Sequence, residues 1–260
     1  MSGGPELRIL DHLDEVAREA AEFVLCAAEE SVARSGGCRV ALSGGTTPKA
    51  LFTALITSPG TSKFPWSRVR FFFGDERCVA PTHPESNFGM ADAALLRPLK
   101  IEAQRVFRMR GEDEQPERAA QSYEDLLRKE FGVGVPDIPR FDLLLLGLGD
   151  DAHMASLFPN TSALDERRRL VVTNQAPKGV AQRLTITVPV INHARTILFL
   201  VTGSGKAPAV RTVLEEPDAA PARYPARLVQ PIDGRVIWFL DRAAAATLQR
   251  LTQADSSHEE

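Results

Sequence analysis

Cysteine is scarce in this sequence. Cys26, Cys38 and Cys78 are the only three in 260 residues, and no two of them form a CxxC pair. An odd, sparse set excludes a disulfide-stapled scaffold and fits free thiols in a reducing compartment. Long apolar runs are also missing: the longest reach about 6–8 residues, far below the roughly 20 that cross a bilayer. Residues 1–16 contain no basic region followed by an apolar stretch, so no signal peptide is expected. Neither sign of charge dominates, with 31 basic and 34 acidic side chains and a formal net charge of −3. The global charge therefore gives no reason to bind nucleic acid or an anionic membrane, and attraction for an anion must come from a local site. These absences lead to the expectation of a soluble, cytoplasmic protein with neither nucleic acid nor membrane as partner.

Several catalytic signatures are missing as well. Without a GxSxG elbow, a serine hydrolase of the α/β-hydrolase kind has little support. Lys206 follows Thr202-Gly203-Ser204-Gly205, but Leu200 stands where a P-loop requires its first glycine. Asp75, Glu76, His153 and His193 have no metal-ligand spacing, so no metal is expected. Gly147-Leu148-Gly149-Asp150-Asp151-Ala152 superficially matches a dinucleotide fingerprint. Asp150 and Asp151 would stand where the pyrophosphate approaches, however, and the strand at 170–172 ends in Thr173-Asn174 without the ribose-binding acid.

What is present is an ordinary globular composition, 43% hydrophobic and 25% charged, on a chain long enough to bury roughly 70–75% of its unfolded surface. Hydrophobic period alternates between helix-like and strand-like. Val16, Ala20, Phe23, Val24, Ala27 and Val32 share a helical face that Ser35-Gly36-Gly37 ends. Strands are expected at 38–42, 69–73, 106–109, 141–146, 170–172, 184–188, 196–201 and 236–240. Further helices are expected at about 48–58, 87–96, 116–131, 206–214 and 241–251. Alternating elements with continuously apolar strands imply an α/β fold, a mostly parallel sheet with helices on both faces. One domain over 1–252, with a disordered acidic tail at 253–260, is the economical division.

In open α/β sheets, ligands bind beyond the carboxyl ends of strands. Four segments begin at such ends: 43–47, 74–77, 147–153 and 202–206. Ser43, Gly44, Gly45, Thr46 and Thr47 form a turn into a helix, where glycines expose N–H groups and the helix start favours negative charge. A plain tight turn capped by Thr46 or Thr47 is the alternative. Arg77 offers a planar fork suited to phosphate oxygens, although Gly74-Asp75-Glu76-Arg77 also reads as a solvated loop with a local ion pair. Lys206 would face an anion from a helix start, or be a surface lysine. His153, two residues after Asp151, reads as a general base with its orienting carboxylate, or as a structural histidine.

Together these segments resemble the 6-phosphogluconolactonase family. The motifs are Ser43-Gly44-Gly45-Thr46-Thr47-Pro48-Lys49, Gly74-Asp75-Glu76-Arg77, Ser86-Asn87, residues 147–159, Arg183-Leu184-Thr185 and Gly203-Ser204-Gly205-Lys206-Ala207-Pro208. They span about residues 5–245. The resemblance implies a fold shared with glucosamine-6-phosphate deaminase and ribose-5-phosphate isomerase. It also implies hydrolysis of 6-phospho-D-glucono-1,5-lactone to 6-phosphogluconate without a cofactor; a monomer is the expected state. His153 and Asp151 would be catalytic, while Ser43, Gly44, Gly45, Thr46, Thr47, Arg77, Lys206 and, more weakly, Arg183 would hold the substrate phosphate. Two positions depart from the family pattern. Ala152 stands where glycine is usual, which is awkward if φ must be positive. Met154 stands where threonine or a similar small residue is usual, which removes a hydroxyl near the base. The deaminase branch continues its Asp-Gly-His turn into a Glu-Pro pair, where this chain has Phe158-Pro159. A sugar-phosphate sensor would need a DNA-binding segment, and the first ~40 residues read as one helix and a strand rather than a helix-turn-helix.

Overall fold

In a computed structural model, residues 4–249 are described. Six parallel strands make the main sheet: β1 (Glu6–Leu10), β2 (Cys38–Leu42), β3 (Val69–Phe73), β5 (Leu143–Leu146), β8 (Thr196–Val201) and β9 (Arg235–Asp241). Their spatial order is β1-β9-β8-β5-β2-β3. Three more strands, β4 (Asp75–Arg77), β6 (Val171–Gln175) and β7 (Gln182–Ile186), form a separate antiparallel sheet in the order β4-β7-β6. The α/β expectation holds, and the small second sheet is an addition to it.

The apolar strands follow from burial on both faces. Leu143 and Leu145 of β5, and Leu198 and Leu200 of β8, pack into a core with α1 (Leu13–Ser35) and α2 (Thr46–Thr57). Their alternates Leu144, Leu146, Ile197, Phe199 and Val201 point the other way. There they meet α4 (Pro116–Phe131), α6 (Ala207–Glu215), α7 (Arg242–Ala245) and the antiparallel sheet. A strand covered on both sides has no polar face, so its sequence does not alternate. α1 stops at Gly36, whose φ of 77° admits the left-handed turn that returns its N–H to the Val32 carbonyl.

Some expected boundaries move, for local reasons. The strand expected at 106–109 is reduced to a single bridge from Val106 to Phe71. The helix expected at 87–96 is α3 (Asn87–Ala91) followed by a π-helical turn over Asp92–Leu96, in which Arg97 N–H reaches the Asp92 carbonyl. β7 ends at Ile186 rather than 188 because Pro189, which has no N–H for a ladder, begins α5 (Val188–His193). α7 is shorter than the expected 241–251, and the last two residues of that span lie outside the described residues, as does the tail at 253–260.

Gly74 is where the chain leaves one sheet for the other. Its N–H donates to the Leu42 carbonyl of the parallel sheet, and its own carbonyl accepts from Ile186 of the antiparallel one. Just before it, Phe73 is held from the α4 side: its N–H donates to the buried Tyr123 hydroxyl at 2.9 Å, which lies 3.2 Å from the carbonyls of Phe73 and Phe107. Tyr123→Phe keeps the ring and orphans that buried N–H. It is expected to lower the unfolding free energy by about 1–3 kcal/mol in a denaturant titration, and a loss near zero would show that the hydroxyl does not carry this junction.

Candidate active site

The turn after β2 is shaped by two glycines. A Cβ on Gly44 would lie 1.9 Å from Asn87 Oδ1, so glycine is what lets the Asn87 amide rest against the backbone. Gly45, at φ 104°, sets the entry to α2. Thr47 Oγ1 lies 2.8 Å from Thr202 Oγ1, which ties this turn to the one after β8. In the second turn Gly203, at φ 97°, donates its N–H to both Asp241 oxygens at 3.0 Å. The same Asp241 carboxylate caps α7 through Ala244 N–H at 2.7 Å. Lys206 follows, its Nζ 2.5 Å from Oδ1 of Asp150, a largely exposed side chain.

The turn after β5 folds back on itself. Gly149 N–H donates to the His153 carbonyl at 2.8 Å, and Ala152 N–H to the Gly149 carbonyl at 2.9 Å. A Cβ on Gly149 would meet His153 Nδ1 at 2.0 Å and Asp151 Oδ1 at 2.6 Å, so this glycine makes room for the pair. His153 Nδ1 lies 2.6 Å from Asp151 Oδ1, and the same oxygen accepts the His153 N–H at 3.2 Å. The imidazole packs against Phe158, with ring centroids 4.7 Å apart. Ala152 does sit at positive φ, 61°, with its methyl fully buried. Met154 is fully buried in the core, so its side chain is committed to packing.

β4 and β7 bring up the cationic wall. Arg77 and Arg183 are directly paired across the antiparallel ladder. Arg77 donates Nη1 to the Glu85 carbonyl at 2.5 Å, while the buried Nε atoms of both arginines have no partner. Burial, and then the positive charge of Arg77, hold the Arg183 guanidinium below its ordinary pKa. Two like charges side by side with idle donors create a demand for an anion. Glu76 does not meet it. Its buried carboxylate accepts the N–H groups of Arg77, Asn87 and Phe88 at 2.7–2.8 Å and the Ser86 hydroxyl at 3.1 Å. Burial still raises its pKa above the usual range. Asp75 is taken by Ser156 Oγ at 2.6 Å and Asn87 Nδ2 at 3.1 Å.

These elements enclose two joined clefts. One of about 510 Å³ is lined by Ser43, Gly44, Gly45, Thr46, Thr47, Arg77, His153 and Lys206. The other, about 300 Å³, shares Arg77 and His153 with it and adds Asp151 and Arg183. Every residue expected at the site is therefore on the walls of these two spaces. Asp75, Asn87, Ser156 and Thr202 also line them or brace them, and were not assigned from the sequence. Ser86-Asn87 was visible as a motif, but the contact between Ser156 and Asp75 spans 81 residues and leaves no local signal. Asp75, Glu76, His153 and His193 are not gathered. His193 Nδ1 lies 2.8 Å from the Pro189 carbonyl in α5, and no metal-holding group of three such side chains occurs among the described residues.

Burial tends to raise the Asp151 carboxyl, but the ring and backbone hydrogen bonds from His153 outweigh it and hold the pKa below the ordinary carboxylate value. His153→Gln removes the ring, so Asp151 is expected to titrate higher in the variant when its carboxyl carbon is followed by NMR. A depressed carboxyl contributes stability above its unfolded pKa of about 3.9 and loses it as pH falls through the folded value. The parent should therefore lose part of its stability advantage over His153→Gln below about pH 4. An unchanged Asp151 titration would mean that the pair does not form in solution.

Comparison with known proteins places the chain in a family. Residues 11–238 match the family model described as glucosamine-6-phosphate isomerases/6-phosphogluconolactonase. The chain is 40% identical over 245 residues to a 6-phosphogluconolactonase of Synechocystis sp., covering 94% of this chain and 99% of that one. The solved 6-phosphogluconolactonase from Trypanosoma cruzi is 30% identical with a TM-score of 0.84, over 96% of this chain and 98% of that chain. A monomeric glucosamine-6-phosphate deaminase, 23% identical, shares the fold with a TM-score of 0.77, over 93% of this chain and 99% of that chain. This chain belongs to the glucosamine-6-phosphate isomerase/6-phosphogluconolactonase family.

Proposed function

We propose that the chain hydrolyses 6-phospho-D-glucono-1,5-lactone to 6-phospho-D-gluconate, the second step of the oxidative pentose phosphate pathway. The observation that carries this reading is the His153–Asp151 pair, 2.6 Å apart, with His153 and Arg77 lining both joined clefts and Lys206 on the wall of the larger one. Similarity to 6-phosphogluconolactonases over most of the chain supports the substrate class.

The roles follow from what the reaction demands. With Nδ1 held by Asp151, the other ring nitrogen of His153 is left to take a proton from water. Hydroxide oxygen bonds to the lactone carbonyl carbon, and the carbonyl electrons move onto oxygen. When the tetrahedral centre collapses, the bond to the ring oxygen breaks and His153 returns its proton there, giving the free hydroxyl and a carboxylic acid that ionises. Asp151 stabilises the transient imidazolium. Arg77, Lys206 and the turn of Ser43, Gly44, Gly45, Thr46 and Thr47 hold the phosphate, with Arg183 reinforcing Arg77. Asp150 is a weak competitor for Lys206, because an exposed ion pair is worth at most about 1 kcal/mol. The aromatic ring of Phe158 beside His153 favours this reading over a deaminase, whose proton relay draws on a carboxylate at that position.

Decay of freshly prepared lactone, corrected for its spontaneous opening, tests the reading. The parent should accelerate it, and His153→Ala should lose about 100- to 10,000-fold in kcat while remaining folded. A parent no faster than the background would sink the lactonase reading, whereas an active His153→Ala would reject only the base. Gly149→Ala should cost about 100-fold through displacement of the imidazole, and parental activity there would show that the turn tolerates a Cβ.

A further inference from the structure

At the amino-terminal edge of the main sheet, four arginines converge on one pocket of about 370 Å³: Arg39, Arg68, Arg70 and Arg105, with Ser35 and Ser67 beside them. β2 and β3 begin here, so the pocket lies a strand length away from the His153 cleft, roughly 13 Å at about 3.3 Å per residue. Arg39 and Arg70 are directly paired across the parallel ladder, where like charges destabilise a sheet. Arg70 has Glu130 at 2.8 Å and Arg105 has Glu102 at 3.3 Å. Among the described residues, Arg39 and Arg68 have no carboxylate within ion-pairing distance, and the buried Nε of Arg39 has no partner. Arg39 instead lies over the Phe131 ring, 4.8 Å from its centroid. The chain as a whole is acidic, so this concentration of guanidiniums is not a sample of the general surface.

The neighbouring end of α1 would oppose an anion if its carbonyls were bare. Two of them are engaged, Val32 by Gly36 N–H and Ser31 by the Ser35 hydroxyl, and just beyond the helix the Gly37 carbonyl accepts the hydroxyls of Ser31 and Ser35. Asp142, a partly buried acid beside the start of β2, is taken by Arg34, by the Arg39 backbone N–H and by Arg195. What faces the pocket is therefore donor-rich, with two guanidiniums in surplus over carboxylates and the Ser67 hydroxyl free. We propose that this pocket is a second anion site, separate from the catalytic cleft, and that it takes a small phosphate-bearing anion of at least two negative charges. Planar guanidiniums match phosphate oxygens in pairs, and a pocket of this size holds one or two phosphoryl groups.

The test titrates pyrophosphate into the full chain by calorimetry, with ionic strength held constant by potassium chloride. The chain carries Arg77→Gln and Lys206→Gln so that the cleft does not contribute. One pyrophosphate per chain is expected to bind, and adding Arg39→Gln and Arg68→Gln should weaken it about tenfold or more. Arg68→Gln alone, at the exposed rim, keeps the test available if the combined variant folds poorly, and should weaken binding about threefold or more. Orthophosphate and glucose 6-phosphate run in parallel separate the sources: tighter binding of one assigns the pocket to free phosphate, of the other to a phosphate ester, and either upholds the site. In the otherwise unaltered chain, Arg39→Gln with Arg68→Gln should leave lactone hydrolysis unchanged. No binding of pyrophosphate, or binding insensitive to these substitutions, would overturn the proposal.

Discussion

The parallel direction of β2, β3, β5 and β8 determines where chemistry can happen in this chain. Because the four strands run the same way, their carboxyl ends arrive together, and each must turn there before its crossover. Those turns carry Ser43, Gly74, Gly149 and Gly203. Two of them depend on a missing Cβ to place a neighbour: Gly44 for Asn87, and Gly149 for the His153–Asp151 pair. The main sheet also fixes the antiparallel one through Gly74, which bonds to both. Arg77 and Arg183 thus inherit their position from the main sheet, through the Gly74 junction.

The electrostatics of the site are arranged by sorting acids from bases. Two acids beside Arg77 on β4 are already engaged: Glu76 with three backbone N–H groups, Asp75 with Ser156 and Asn87. Their lone pairs are taken by other donors, so the buried Nε atoms of Arg77 and Arg183 keep no hydrogen-bond partner, although the charges of Asp75 and Glu85 still act on Arg183 through space. The cost is visible in the depressed pKa of Arg183, which reflects both burial and the charge of Arg77. The arginine pocket at the opposite edge of the sheet repeats the same logic with Arg39 and Arg70, this time across a parallel pair. In both places like charges are held together by backbone register, and at least one guanidinium of each pair keeps a buried Nε without a hydrogen-bond partner.

Much of this was legible along the chain because the informative features are local. Continuous apolar strands marked the parallel sheet, glycine and proline marked the turns, and Asp151 and His153 lie two residues apart. The antiparallel sheet was less legible. β4 has three residues, Asp75, Glu76 and Arg77, which look like a polar loop because their partners are supplied by β7, more than a hundred positions away. Val106 to Met109 had the pattern of a strand but follows a 3-10 turn over Ala103–Arg105 and meets Phe71 at one bridge only. Asp75, Asn87 and Ser156 form a braced unit that no spacing rule encodes, since each contact joins distant segments. Lys206 was found from its glycine-rich approach, whereas Asp241, which holds that approach in place through Gly203, sits at the end of an ordinary apolar strand.

Ala152 shows how a departure from a family pattern can be absorbed. A left-handed residue with a Cβ costs about 1–2 kcal/mol relative to its ordinary conformation. Glycine would remove that cost but add about 0.4–1 kcal/mol of unfolded-state entropy. It would also give up a fully buried methyl, worth about 0.8 kcal/mol. The opposing terms are of equal size, so the geometry does not depend on which residue is present. It depends on the backbone around it: Ala152 N–H donates to Gly149, its carbonyl accepts from Ala226, and Gly149 N–H donates to His153. With both polar groups of Ala152 tied and Gly149 bound to His153, φ is set by the turn rather than by residue preference. Setting the imidazole over Gly149 takes a tight reversal, and in that reversal it is Gly149, not position 152, where a Cβ would collide with the ring.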